Sequence, residues 1–181
     1  AKLAGKGFGV LATQTLKPGQ LILQEHPLVR VDKSPGSPEA RANPTCAKLM
    51  GRVMEMAKTG KFNPRSDFSQ WPSEVVSCFE GILDEQSKMA YAKLDGRRQK
   101  QWMELSDVHA EDEARKSPGG ILRTNAIDDA ENYANLYAQL SRMNHSCAPN
   151  AIRISTDKVG GVAVLVANNN ARGIEEGEEV S

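Results

Sequence analysis

The run Asn144-His145-Ser146-Cys147-Ala148-Pro149-Asn150 narrows the folds open to this chain more than any other stretch. It is polar and rich in donors, and it sits where an expected helix ends and an expected strand begins, which suits a tight turn. Four chemistries compete for it. As zinc ligands, His145 and Cys147 supply at most two of the four groups a structural site needs. The other cysteines, Cys46 and Cys78, lie far apart and form no Cys-x-x-Cys pair. As a glycosylation acceptor, Asn144-His145-Ser146 fits Asn-x-Ser, but the cysteine usage and the lack of a leader speak against secretion. As a Cys–His nucleophile pair, it gains nothing from adjacency in sequence, because such pairs meet by folding. As a structural turn, Asn144 and Ser146 satisfy backbone groups while His145 is buried and hydrogen-bonded. Read alone, the turn prevails.

The chain's totals exclude several classes of function. Its 181 residues hold one full-sized core, or one domain with a large insertion. Lys and Arg number 23, as do Asp and Glu, so the formal net charge is zero. A broad nucleic-acid surface needs a basic excess, and no direct nucleic-acid binding is expected. Apolar runs such as Val162 to Ala167 are too short to span a membrane. The start lacks the apolar core of a signal peptide. Three scattered cysteines favour a reducing compartment, nucleus or cytoplasm, over a disulfide framework. Both ends read as cut, with the last residues, Glu178 to Ser181, in the middle of an expected strand.

Taken in order, the chain reads as one domain in three parts: β over 1–31, a helical insert over 32–116, and β again over 117–181. Gly5, Gly7 and Gly9 form a loop that leads into a strand from Val10. A dinucleotide fingerprint instead follows a strand and opens a helix. Lys17-Pro18-Gly19-Gln20 is a turn, and a strand runs from Leu21 to about Val31. In the insert, Leu49, Val53, Met56 and Ala57 mark a helix over about 39–58. Ser73 caps a second, with Val76, Phe79, Ile82 and Leu83 as its buried stripe. Lys88 to Leu105 forms a third, interrupted at Gly96. Met54, Met56, Met89, Trp102 and Met103 are packing residues, and Arg97 to Lys100 is a solvated face. After a turn at Ser117-Pro118-Gly119-Gly120, Ile121 to Ala126 reads as a strand and Tyr133 to Leu140 as a helix. Ala151 to Ser155 and Val162 to Ala167 form a hairpin. Leu16-x-x-Gly19-x-x-Ile22 and Ile174-x-x-Gly177-x-x-Val180 echo one another as turns that deliver the chain into strands.

Three stretches, in order, resemble the SET-domain protein lysine methyltransferases. Gly5-Lys6-Gly7-Phe8-Gly9-Val10-Leu11-Ala12-Thr13 is similar to the family's opening loop and strand, and the match continues to Glu25. Ser141 to Asn150 resembles its Asn-His-Ser-Cys-x-Pro-Asn signature, preceded by Arg123-Thr124-Asn125-Ala126. Ala171-Arg172-Gly173-Ile174-Glu175-Glu176-Gly177-Glu178-Glu179-Val180 resembles the run that leads to the catalytic tyrosine. The insert brings the chain nearest to proteins related to the SET–MYND group, without a MYND zinc cluster. The resemblance implies a mostly β, α+β fold of small sheets with a C-terminal pseudoknot and a helical insert.

It also implies a chemistry: S-adenosylmethionine as cofactor, and a protein or peptide bearing the target lysine as partner. The glycine-rich backbone near Lys6, Gly7 and Phe8 would meet the cofactor carboxylate, since glycine permits close approach. Asn144 would hold the methionine moiety and His145 would present its backbone to adenine. Ser141 and Arg142 would line the same pocket, and Asn125 would reach it from the insert side. For Asn125 a plain turn or strand-end role stays open, and for Lys6 a plain surface role. Cys147 is expected to pack behind the turn. The family's tyrosine is expected beyond Ser181, so no catalytic residue is assigned, and the cysteine-rich zinc segment that follows the family's core is not among these residues. A different class remains in view: a catalytically silent SET module that binds proteins through its insert.

Overall fold

The computed structural model describes residues 2–3, 7–129, 132–156, 160–169 and 172–181; for 2, 3, 7, 8, 155 and 156 only the backbone is described. Strands β1 (Lys2–Leu3) and β2 (Gly7–Phe8) pair with each other. Beyond them, β3 (Val10–Leu11) takes the last strand of the chain, β10 (Glu179–Val180), as its antiparallel partner. The expected strand from Leu21 to Val31 is two strands. β4 (Leu21–Glu25) and β5 (Val29–Asp32) are separated by His26-Pro27-Leu28, where proline has no N–H to give a ladder. The break sends the two halves to different sheets. β4 pairs with β9 (Val162–Ala167), which pairs in turn with β8 (Ala151–Thr156), so the predicted hairpin is present. β5 pairs with β7 (Tyr133–Leu136), which pairs with β6 (Ile127–Asp128).

Two elements differ in type from the sequence reading. Pro118–Asn125 is a helix and not a turn and strand; we number it α5, after four helices in the insert. Ser117 is its cap: its hydroxyl accepts from Gly120 N at 3.0 Å, and Pro118 fills the first helical position. That chemistry starts a helix and outweighs the strand preference of Ile121 and Thr124. Tyr133–Leu136 is strand β7 and not a helix. As the middle strand of its sheet it is covered on both faces, so Ala134, Asn135 and Leu136 are all buried. A buried strand reads as a continuous run, which periodicity alone does not separate from a helix.

The insert holds α1 (Pro38–Ala42), α2 (Pro44–Lys58), α3 (Ser73–Ala92) and α4 (Gly96–Met103). The single helix expected over 39–58 breaks at Asn43, whose side chain accepts from Thr45 N and Cys46 N to cap α2. Ser73 is not a cap. It is the first residue of α3, and Pro72 stands at the cap position with no side-chain bond. α3 buries Val75, Cys78, Ile82 and Gln86, and Asp95 caps α4 at Gly96. Met56 and Trp102 are core residues as expected, but Met54 is exposed.

The two echoing turns lie side by side. Leu16 and Ile174 exchange backbone hydrogen bonds of 2.7 and 2.9 Å. Gly19 and Gly177 both have positive φ, +76° and +82°, where a side chain would be strained. Ala12 N then donates to Glu178 O and Gly177 N to Ala12 O. The last residues are thereby laced to the first strands, and β10 is delivered beside the Asn-His-Ser-Cys turn.

Candidate functional site

The cleft that gathers the predicted residues has a volume of about 320 Å³. One wall is the segment after α4, from Glu104 to Val108. A second is the last turn of α5, with Thr124 and Asn125. The third is Ser141 to Asn144. Four predicted residues from two distant stretches, Asn125, Ser141, Arg142 and Asn144, therefore line one space. His145 lies exposed beyond them, where the turn reading had it buried. Gly7 and Phe8 form β2. Lys6 lies outside the described residues.

A carboxylate holds the approach to this wall. Glu25, the last residue of β4, accepts from three successive backbone amides: Ala138 at 2.9 Å, Gln139 at 3.0 and 3.3 Å, and Leu140 at 2.9 Å. These N–H groups lead into a short 3-10 turn, Leu140–Arg142, which delivers Ser141 and Arg142 to the cleft. Ser141 locks that turn to its surroundings. Its hydroxyl accepts from Tyr137 N and donates to Asn125 O, both at 3.0 Å. Arg142 Nε donates to Ala138 O at 2.9 Å, and its guanidinium faces the Glu104 carboxylate at 3.7 Å. Glu25→Ala would remove the acceptor of three amides at once. We expect it to lower stability by about 2–3 kcal/mol in urea unfolding. Glu25→Gln, which keeps one accepting oxygen, should cost less. An unchanged urea midpoint in Glu25→Ala would contradict this role.

Asparagines stitch the site together. Asn125 donates through Nδ2 to Ser106 O at 2.6 Å and Ile121 O at 2.7 Å, tying α5 to the opposite wall. Asn144 Nδ2 donates to Glu179 Oε1 at 2.8 Å. Asn150 closes the other end of the turn: Nδ2 donates to Glu179 O at 2.8 Å, and Oδ1 accepts from Ser181 N at 3.0 Å. The sequence reading did not assign Glu25, Glu104, Asn150 or Glu179. Asn150, as the last residue of the signature, and Glu25 and Glu179, within the family-like stretches, carried a signal that could have been used; Glu104 did not. Cys147 does not pack behind the turn; it is exposed, with Sγ 3.6 Å from His145 Nε2. Residues 147–149 are exposed, so the thiol is open to solvent among the described residues. Among the described residues, no group of three or more His, Cys, Asp or Glu is placed to hold a metal ion.

Two other spaces bear on the choice of site. A groove of about 270 Å³, walled by Val10, Leu21, Leu23, Leu165 and Val180, abuts the cleft, and Met143 lines both. A larger cavity, about 440 Å³, lies between β5, α1 and α3 and shares no residue with the signature. Size favours that cavity, but the convergent polar side chains of the 320 Å³ cleft are what orient a ligand.

Interlocked antiparallel sheets, a helical insert and a polar cleft at the seam between them define an α+β domain. The SET domain family model matches residues 7–181, and the chain belongs to that family. No curated protein matches it. Among solved structures, the chain is similar to the SET domain of LSMT bound to lysine and AdoHcy, at 13% identity and a TM-score of 0.43. That alignment covers 99% of this chain and 47% of the other, so the chain spans about half the length of that structure. Among the described residues, no helix is long and apolar enough to cross a membrane.

Proposed function

We propose that this chain binds S-adenosylmethionine in the 320 Å³ cleft and belongs to an enzyme that methylates a lysine side chain of a protein or peptide. The observation that carries this reading is the convergence of Asn125, Ser141, Arg142 and Asn144 on one cleft in a SET-family chain. The insert supports a place near the SET–MYND group. The cleft's chemistry suits a zwitterionic nucleoside. It offers a guanidinium, a carboxylate and side-chain amides on a scaffold held by partly buried hydrogen bonds, and its volume is within the range of small-molecule sites. When bound, S-adenosylmethionine supplies an electrophilic methyl group for in-line displacement by the lysine amine, leaving S-adenosylhomocysteine.

The chain's own residues have two tasks. The first is orientation: reacting atoms must be held about 3–3.5 Å apart and aligned, which the rigid turn around Ser141 and Asn144 serves. The second is to keep the amine neutral. A free lysine has a pKa of about 10.4, and an apolar enclosure disfavours its charged form. The groove across Met143, with its Val and Leu walls, is the enclosure we assign to the lysine stem. By the family resemblance, the backbone near Lys6, Gly7 and Phe8 takes the cofactor carboxylate and the backbone of His145 takes adenine. We place the protein in nucleus or cytoplasm.

Incubation with methyl-tritiated S-adenosylmethionine and histone or ribosomal protein fractions tests the reaction. Hydrolysis should return the label as methyl-lysine; label on another residue type would contradict the proposal. A second reading, a silent partner-binding module, is favoured by an apolar groove on the insert that includes Met54, Phe62, Trp71 and Phe79. It predicts no label in any fraction.

A further inference from the structure

We propose that Glu179 is a positioning residue that sets the polarity of the Asn144 amide, so that the cleft meets its ligand with a carbonyl oxygen and selects a protonated amine. An asparagine amide has a donating end and an accepting end of nearly the same shape. Glu179 removes the ambiguity here. Its Oε1 lies 2.8 Å from Asn144 Nδ2. A carboxylate only accepts, so the reversed amide would set two oxygens against each other at hydrogen-bond distance. Nδ2 must face Glu179.

Glu179 is itself held in place. It lies in β10 opposite Leu11, and its carbonyl accepts from Asn150 Nδ2 at 2.8 Å. One residue of the C-terminal strand thus grips both ends of the Asn-His-Ser-Cys turn, through its side chain at Asn144 and its backbone at Asn150. Asn144 lines the cleft, and no described residue donates to its Oδ1 at hydrogen-bond distance. The atom is an acceptor in want of a donor, with a carboxylate behind the same amide that polarises the carbonyl further. A ligand ammonium satisfies it; a ligand carboxylate at the same place meets an oxygen.

The inference rests on the cofactor reading above, and the test separates the two. The probes are S-adenosylhomocysteine and its analogue with hydrogen in place of the α-amino group, titrated calorimetrically into wild type, Glu179→Gln and Glu179→Asp. Wild type should bind S-adenosylhomocysteine about tenfold or more tightly than the deamino analogue. In Glu179→Gln the new amide can donate to Asn144 Oδ1 and reverse it. Binding of S-adenosylhomocysteine should then weaken about tenfold, while the deamino analogue should change by less than about twofold. Glu179→Asp keeps the charge but withdraws it by one methylene, and should show a smaller loss with the same selectivity. It serves in place of Glu179→Gln if that variant does not fold. Equal weakening of both ligands, or of neither, overturns the positioning role while the cofactor reading stands. Failure of folded wild type to bind either ligand overturns the cofactor reading, and this inference with it.

Discussion

Asp129→Ala is expected to destabilise the protein by about 3 kcal/mol, because it strips one buried carboxylate from four donors. Asp129 ends the pairing of β6 and opens the connection to β7, and its side chain is 1% exposed. Oδ2 accepts from Arg30 Nε and from the far guanidinium nitrogen, NH2, at 3.3 and 2.9 Å, and from Asn135 Nδ2 at 3.0 Å; Oδ1 accepts from Tyr133 N at 2.9 Å. Arg30 also lies over the Tyr133 ring, 3.9 Å from its centre. Alanine would leave a cation and a buried amide without this partner in the sheet that carries the chain from α5 to the cleft wall. Burial pushes the Asp129 carboxyl up, but the bonds from Asn135, Tyr133 and Arg30, together with the Arg30 charge, outweigh it and hold the pKa at about 2, below the usual 3.8. A depressed carboxylate pKa gives stability that is fully present above about 3.8 and lost as pH falls through about 2. The amount is about 2 kcal/mol. Urea unfolding of wild type and Asp129→Ala at pH 7, 4 and 2.5 checks both statements: the gap between the two should narrow across the lowest step. A gap below about 1 kcal/mol at pH 7 would contradict the role given to this carboxylate.

Asn144→Ala is expected to weaken S-adenosylmethionine binding by more than tenfold with little loss of fold. The residue is half-buried and one of its partners is a single Glu179 oxygen, so truncation should change stability by no more than about 1 kcal/mol. Its effect on ligand is larger, since the cofactor's polar groups would enter the cleft without the amide they need. Thermal melting of the two proteins, with and without ligand, separates these effects. Wild type should gain melting temperature on adding ligand, and the variant should not. Equal gains would remove Asn144 from the site.

How much of this was legible depended on whether the deciding contact was local. The turn at Lys17 to Gln20 and the β8–β9 hairpin carry their own instructions in proline, glycine and alternation, and they stand as read; the Asn-His-Ser-Cys run was located, but His145 and Cys147 lie exposed and not packed behind it. α5 was missed although its cap is local, because Ser117-Pro118 opens a turn and a helix with the same letters. β7 was missed because burial on both faces erases the period-two signal that marks a strand. The polar frame of the cleft was beyond local reading. Glu25 meets its amides 113 to 115 positions later, and Glu179 meets Asn144 35 positions earlier. Both carboxylates lie in family-like stretches, but nothing in either stretch names the distant partner. Asn125, Ser141, Arg142 and Asn144 were proposed from the family resemblance, not from their own chemistry, and the fold brings them to one cleft.

Calorimetric titration of the folded protein with S-adenosylmethionine addresses the central claim most directly. The cleft built by Asn125, Ser141, Arg142 and Asn144 predicts one saturable site per chain, with micromolar affinity that Asn144→Ala reduces by more than tenfold. Absence of binding by wild type whose fold is verified by circular dichroism, or binding that Asn144→Ala leaves intact, would contradict it.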